Sequence, residues 1–220
     1  MSNVSYPTIC RHFESGDLEY VRKFLRYIII VLFTIFIPFI LVSNLFGGDI
    51  ISLLYERGEF GKELTQTTAA LFAIYTFGIF GYVCQELFNK ILYLDSRYTF
   101  PVAGTLGVVV SKLIINALIP ESWGVTGVAA STTLLFILYA LGVWIVMGKV
   151  VGNYLNREFG FNILKILVSA MGAFGAYILT NVFLSDISFI IRLGVCGVVY
   201  VALVYITGLG KYILKKSREE

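Results

Sequence analysis

Lys112 and Asn116 lie one helical turn apart inside the apolar stretch from Pro101 to Ile119. A lysine at the centre of a bilayer costs ~2.5–3.5 kcal/mol on insertion scales. Two readings of Lys112 fit that cost. Either it faces a wet cavity and meets an anionic group of a substrate, or its four-carbon stem carries the ammonium to the outer interface. Asn116 shares its helical face and suits the same cavity or an interhelical hydrogen bond. Gln85, Glu86, Asn89 and Lys90 give another apolar run a polar end. Glu86 and Lys90 stand in the favourable i, i+4 order and are expected to pair at the membrane edge, beside the substrate path. Pro38 interrupts the first apolar run. It removes one ladder bond and frees the carbonyl of Thr34, which predicts a helix kink. Arg192 is expected to form an interfacial pair with Asp186.

No residue set suits catalysis. His12 has no histidine partner, and a zinc site needs three or four ligands. No phosphate-binding glycine pattern occurs, so ATP-driven transport has no support. Cys10, Cys84 and Cys196 are odd in number and two lie within apolar runs, which argues against a disulfide framework. No catalytic residue, metal or cofactor is expected, and the chain reads as a non-enzyme. A net charge of +3, with its basic residues at helix ends rather than along one stripe, gives no reason to expect a nucleic-acid partner.

The elements that position these residues are membrane spans. Of the 220 residues 58% are hydrophobic and 14% charged, against about 25% charged in a soluble domain. Six apolar runs cover Tyr27 to Phe46, Thr67 to Leu94, Pro101 to Ile119, Gly124 to Gly148, Phe161 to Leu184 and Ile187 to Leu209. Each is long enough to cross ~30 Å of hydrocarbon at 1.5 Å per residue. None shows the period-two alternation of a membrane barrel. The fold class is therefore all-α integral membrane, with six transmembrane helices. The first 26 residues hold no apolar core, so a cleaved signal peptide is not expected.

Lysine and arginine set the orientation. Arg11, Arg22, Lys23 and Arg26 precede the first span; Lys90 and Arg97 join the second to the third. Lys149, Arg157 and Lys165 join the fourth to the fifth; Lys211, Lys215, Lys216 and Arg218 form the tail. The opposite side has Arg57 and Lys62. The positive-inside rule places the first group, and both termini, in the cytoplasm. Residues 1–26 then form a cytoplasmic segment, with an interfacial helix over 13–26 that uses Phe13, Leu18, Val21 and Leu25. The outer segment 49–60 reads as a short amphipathic helix capped by Asp49 and ending near Gly58. Residues 149–160 are a cytoplasmic linker and 210–220 a basic cytoplasmic tail. Glycines 104, 107, 124, 127, 172, 175, 194 and 197 are mostly spaced by three and permit close helix approach.

Several segments resemble the MviN/MurJ family of lipid II flippases. They are IISLLYERGEF at 50–60, PTICRHFESGDLEYVRKFLR at 7–26, the proline of the first span, the Tyr93 to Pro101 join, Asn116, and WGVTGVAASTTL at 123–134. The resemblance runs along the whole chain and covers the last six of the family's fourteen helices. It implies part of a multidrug/oligosaccharidyl-lipid/polysaccharide exporter-like bundle, working by alternating access. Residues 27–148 would be four helices of the C-terminal lobe, and 161–209 two additional helices forming a groove for the lipid tail. The family's pyrophosphate-binding arginines fall in helices outside this chain, so none carries over. The turn reading Arg97-Tyr98-Thr99-Phe100-Pro101 departs from the family's usual Asp-Thr-x-Thr-Pro. The implied function is flipping of the lipid-linked peptidoglycan precursor in the bacterial cytoplasmic membrane, with this chain as a C-terminal fragment. Membrane lipids, the missing N-terminal lobe or a homo-oligomer are the expected partners. The alternatives are another polysaccharide-lipid flippase or cation-coupled exporter of the superfamily, or a non-transporting membrane assembly protein.

Overall fold

The computed structural model describes residues 2–94, 98–183 and 187–219. Among them it contains helices and no strand: α1 (Ser2–Glu14), α2 (Leu18–Leu45), α3 (Gly47–Tyr55), α4 (Lys62–Leu94), α5 (Thr99–Leu118), α6 (Gly124–Val151), α7 (Arg157–Phe183), α8 (Phe189–Ile206) and α9 (Leu209–Glu219). The helices α2 and α4 to α8 are long and apolar enough to span a bilayer. The chain is an all-α integral membrane protein.

The segment before the first span is divided differently from the sequence reading. Residues 13–26 are not one interfacial helix. The chain turns after α1 at Gly16, which has φ +78°, and Leu18 already opens the long α2. Asp17 caps that helix, its Oδ1 accepting from the Tyr20 amide at 3.1 Å. Its Oδ2 lies 3.1 Å from His12 Nδ1, and the His12 ring stacks on Tyr20 with centroids 3.8 Å apart. The Tyr20 amide, and then His12, hold the Asp17 carboxyl below its ordinary range.

The chain forms two compact units, and the division falls within α2 and α4. The first comprises residues 1–28 and 74–154. Here α4 meets α6 where Gly78 and Gly81 remove side-chain bulk: a Cβ on Gly78 would lie 2.9 Å from Thr133 Oγ1, and one on Gly81 3.3 Å from the backbone of Phe136 and Ile137. Thr133 Oγ1 donates to the Ile74 carbonyl at 3.1 Å. Arg22 Nε donates at 2.5 Å to the carbonyl of Val151, the last residue of α6. A cation there satisfies a helix-end acceptor and opposes the negative end of the helix dipole. The linker that follows is anchored. Tyr154 is buried, donates to the Trp144 carbonyl at 3.3 Å and packs near Phe88.

The second unit comprises residues 29–73 and 155–220. Its core holds Ile30, Ile166 and Leu209, packed by Phe33, Phe159 and Tyr212. A second cluster joins Ala170, Ala173 and Tyr200 with Ile37 and Leu41. Asp49 is not the cap of α3. The helix begins two residues earlier, with Phe46 at the cap position and no side-chain cap bond, and ends at Tyr55. Asp49 instead stands in the first turn, where a carboxylate favours the helix dipole. Glu56 accepts from Thr65 Oγ1 at 3.1 Å, and Gly58 has φ +55°. The ERGEF segment thus closes the turn into α4. The basic tail continues as the helix α9, with Leu209 fully buried and Leu214 exposed.

Candidate functional site

Of the polar residues singled out in the sequence, α5 carries Lys112 and Asn116, and α4 carries Gln85, Glu86, Asn89 and Lys90. One stripe of α5 turns inward and contains Pro101, Gly104, Val108, Ser111, Lys112, Ile115 and Asn116, all buried or half-buried. The opposite face exposes Leu106, Val109, Val110, Leu113, Ile114 and Leu118, as a lipid-facing surface requires. Lys112 therefore shares the protein-facing stripe. It stands six residues, or about 9 Å, from the end of α5. It makes no ion pair or hydrogen bond; the ion pairs among the described residues are His12–Asp17 and Lys23–Glu19. Asn116 Oδ1 accepts from Ser131 Oγ of α6 at 3.4 Å, the interhelical bond that its position allowed.

Glu86 and Lys90 do not pair. Glu86 is exposed on the stripe of α4 that carries Tyr82 and Tyr93, whereas Lys90 is half-buried. The inward stripe of α4 presents their neighbours Gln85 and Asn89, each 5% exposed, with Cys84, Phe88 and Leu92. The spacing 81, 85, 88, 89, 92 was visible in the sequence and marks this stripe. Asn89 Oδ1 lies 3.3 Å from the Tyr139 hydroxyl, which donates to the Pro101 carbonyl at 3.1 Å. That carbonyl belongs to the first turn of α5. Tyr139 reaches it because Gly104 offers no Cβ, which would stand 2.3 Å from the ring. Tyr139 thereby ties α4, α5 and α6 together, a role its residue type did not announce. Gln85 Oε1 is buried without a partner.

In the second unit, α2 runs unbroken through Pro38. The Thr34 carbonyl accepts a hydrogen bond from the Tyr200 hydroxyl at 2.8 Å. Arg192 bonds Asn181, one helix earlier, through Nη1; the expected partner Asp186 lies outside the described residues. Of the glycines read as close-approach sites, Gly104, Gly127 and Gly172 meet side chains, whereas Gly107, Gly124, Gly175, Gly194 and Gly197 face open space.

A family profile described as "Lipid II flippase MurJ" matches residues 1–196. A protein of Rickettsia prowazekii (strain Madrid E) named "Probable lipid II flippase MurJ" is 21% identical over 133 residues. That alignment covers 60% of this chain and 26% of the relative, so the chain spans about a quarter of the relative's length. With the profile running from α1 into the first part of α8, the six-span helical protein described above belongs to the MurJ family of lipid II flippases.

Proposed function

We propose that this chain is the C-terminal portion of a lipid II flippase, a transporter rather than a catalyst. It would move the lipid-linked peptidoglycan precursor across the bacterial cytoplasmic membrane by alternating access. Beyond family membership, one observation carries the reading: a half-buried lysine, Lys112, with no carboxylate partner, on the protein-facing stripe of α5. An unpaired cation held among apolar helices is costly and is stabilised when an anionic group enters. A diphosphate-linked substrate supplies such a group. The distribution of Lys and Arg supports cytoplasmic termini and an outer position for the α3 loop. The exposed Leu53 and Leu54 of α3 suit the outer leaflet surface.

Alternating access requires two lobes around a site at their interface, and this chain aligns to a quarter of its relative. The proposed activity therefore belongs to an assembly with the N-terminal lobe. The test is reconstitution of the chain with the N-terminal lobe of a relative in proteoliposomes that contain fluorescent lipid II. Headgroup protection from an external quencher should change with time. A rate equal to that of protein-free vesicles would reject the reading. The aligned fraction also favours a second reading, a non-transporting assembly protein. That reading predicts stable association with a partner lobe and no headgroup translocation.

A further inference from the structure

We propose that the end of the second unit formed by the start of α7 and the α8–α9 turn is a binding site for the phosphate of an anionic membrane lipid. A cavity of about 780 Å³ opens there. Arg157, Asn162 and Lys165 line it from one face of α7, and Lys211 and Tyr212 from the start of α9. Its charged lining comprises three cations and one carboxylate, Glu158. Glu158 forms no ion pair with them. Arg157 instead lies over the Phe161 ring at 5.5 Å, and Lys211 over the Tyr205 ring at 5.8 Å. Aromatic faces orient a cation without neutralising it, so the cavity keeps a net charge of about +2 for a ligand.

Asn162 separates a built site from a basic surface. Its side chain is 3% exposed, and its amide Nδ2 is buried with no hydrogen-bond acceptor in the protein. An unpaired buried donor is expensive, and a phosphate oxygen is a strong acceptor for it. The α7 amide of Phe159 is already capped by Asn156 Oδ1 at 2.8 Å, so the cations and Asn162, rather than helix-end amides, carry the site. Phe161, Tyr205 and Leu214 are exposed beside these cations, apolar surface against which acyl chains can lie. The Lys and Arg distribution puts this end at the cytoplasmic leaflet, where a basic pocket between spans meets anionic headgroups. Such a site would hold a resident lipid of the membrane independently of lipid II transport.

The test is native mass spectrometry of the full chain in detergent, titrated separately with phosphatidylglycerol, phosphatidylcholine and inorganic phosphate. The wild type should retain phosphatidylglycerol and not phosphatidylcholine, and millimolar phosphate should not displace the lipid. Each Lys or Arg near a lipid surface is worth roughly fivefold in affinity. The double variant Lys165→Gln/Lys211→Gln should therefore lose about tenfold or more in retention. Asn162→Leu preserves the charge and should still lose several-fold, whereas Lys149→Gln, a surface cation elsewhere, should match the wild type. Equal retention of both lipids, unchanged retention in the double variant, or unchanged retention in Asn162→Leu would each overturn the site. Displacement of the lipid by phosphate would assign the cavity to the free ion and overturn the lipid.

Discussion

The Tyr200 hydroxyl donates to the Thr34 carbonyl at 2.8 Å, and Thr34 stands four residues before Pro38. Proline carries no amide hydrogen, so that carbonyl loses its helical donor. The last span supplies the replacement. A freed carbonyl within the bilayer has no water to turn to, and a hydroxyl from a packed helix is one of the few donors at hand. The bond fastens α2 to α8 within the second unit, at the point where the helix ladder is weakest.

That relationship predicts a coupled pair of substitutions. Tyr200→Phe should destabilise the chain by about 0.6 kcal/mol, the mean for interhelical hydrogen bonds in membranes, and by no more than about 1.7 kcal/mol. Pro38→Ala returns a backbone donor to Thr34, so in that background Tyr200→Phe should cost little. A double-mutant cycle on thermal unfolding in detergent measures the difference. Equal costs in both backgrounds would show that Tyr200 does not serve the proline's orphan carbonyl.

Pro38 illustrates what the sequence could and could not reveal. The missing donor is written in the residue type, but its substitute is 166 positions away. The spans themselves were legible because the bilayer fixes their length and composition. Their faces were less so. In a soluble helix, polarity marks the exposed side, whereas here the exposed side of α5 is leucine and valine and the packed side carries Lys112 and Asn116. The same inversion led to the expectation of a Glu86–Lys90 pair at the path, whereas Gln85 and Asn89 face the protein. Helix ends were missed where local capping gave false cues. Asp49 resembles a cap but stands inside the first turn, and residues 62–66, with the charged Lys62 and Glu63, open α4 rather than precede it.

Gly104 permits the Tyr139 ring to lie against α5. A methyl group at position 104 would press on that ring, and an aromatic ring cannot yield as a flexible chain end does. Gly104→Ala should cost about 1–3 kcal/mol, as overpacking does in well-packed cores. Gly107→Ala, with nothing within 4 Å, should not lower the unfolding temperature. Similar effects of the two substitutions would contradict the described packing of α5 on α6.

The proposed orientation is checked by single cysteines in a background without Cys10, Cys84 and Cys196. Those placed at Lys62, Glu121 and Asp186 should react with an impermeant thiol reagent added outside intact cells. Those at Arg97 and Arg157 should react only after permeabilisation. A reversed pattern would put the α7–α9 cavity at the outer leaflet and remove the charge argument for cytoplasmic termini.

For Lys112 the proposed role and simple snorkelling diverge in one substitution. Lys112→Leu in the reconstituted two-lobe assembly should slow headgroup translocation at least tenfold while leaving expression intact. The lost interaction is that of a cation with a phosphate in a medium of low dielectric, where attraction exceeds its value in water. If the ammonium only reaches the interface, leucine should be neutral or mildly stabilising. Translocation equal to wild type would discard the cavity role.

The 220-residue chain alone should insert in a membrane and fail to flip lipid II. Rocking between inward and outward states needs two lobes, each presenting one wall of the cavity. In the proposed assembly the first unit would present one wall, and its inward polar groups are Lys112, Asn116, Gln85 and Asn89, of which Asn116 and Asn89 are already bonded to Ser131 and Tyr139. These include one cation, and a diphosphate needs several donors in fixed positions. The isoprenoid tail asks for less, since binding it requires apolar area and a matching shape. The chain should therefore bind isoprenoid lipids weakly and with little regard to headgroup. Proteoliposomes with fluorescent lipid II, scored for headgroup access on each leaflet, measure both properties. Translocation well above protein-free vesicles would mean that two copies supply both lobes, and cross-linked dimers should then be the active species.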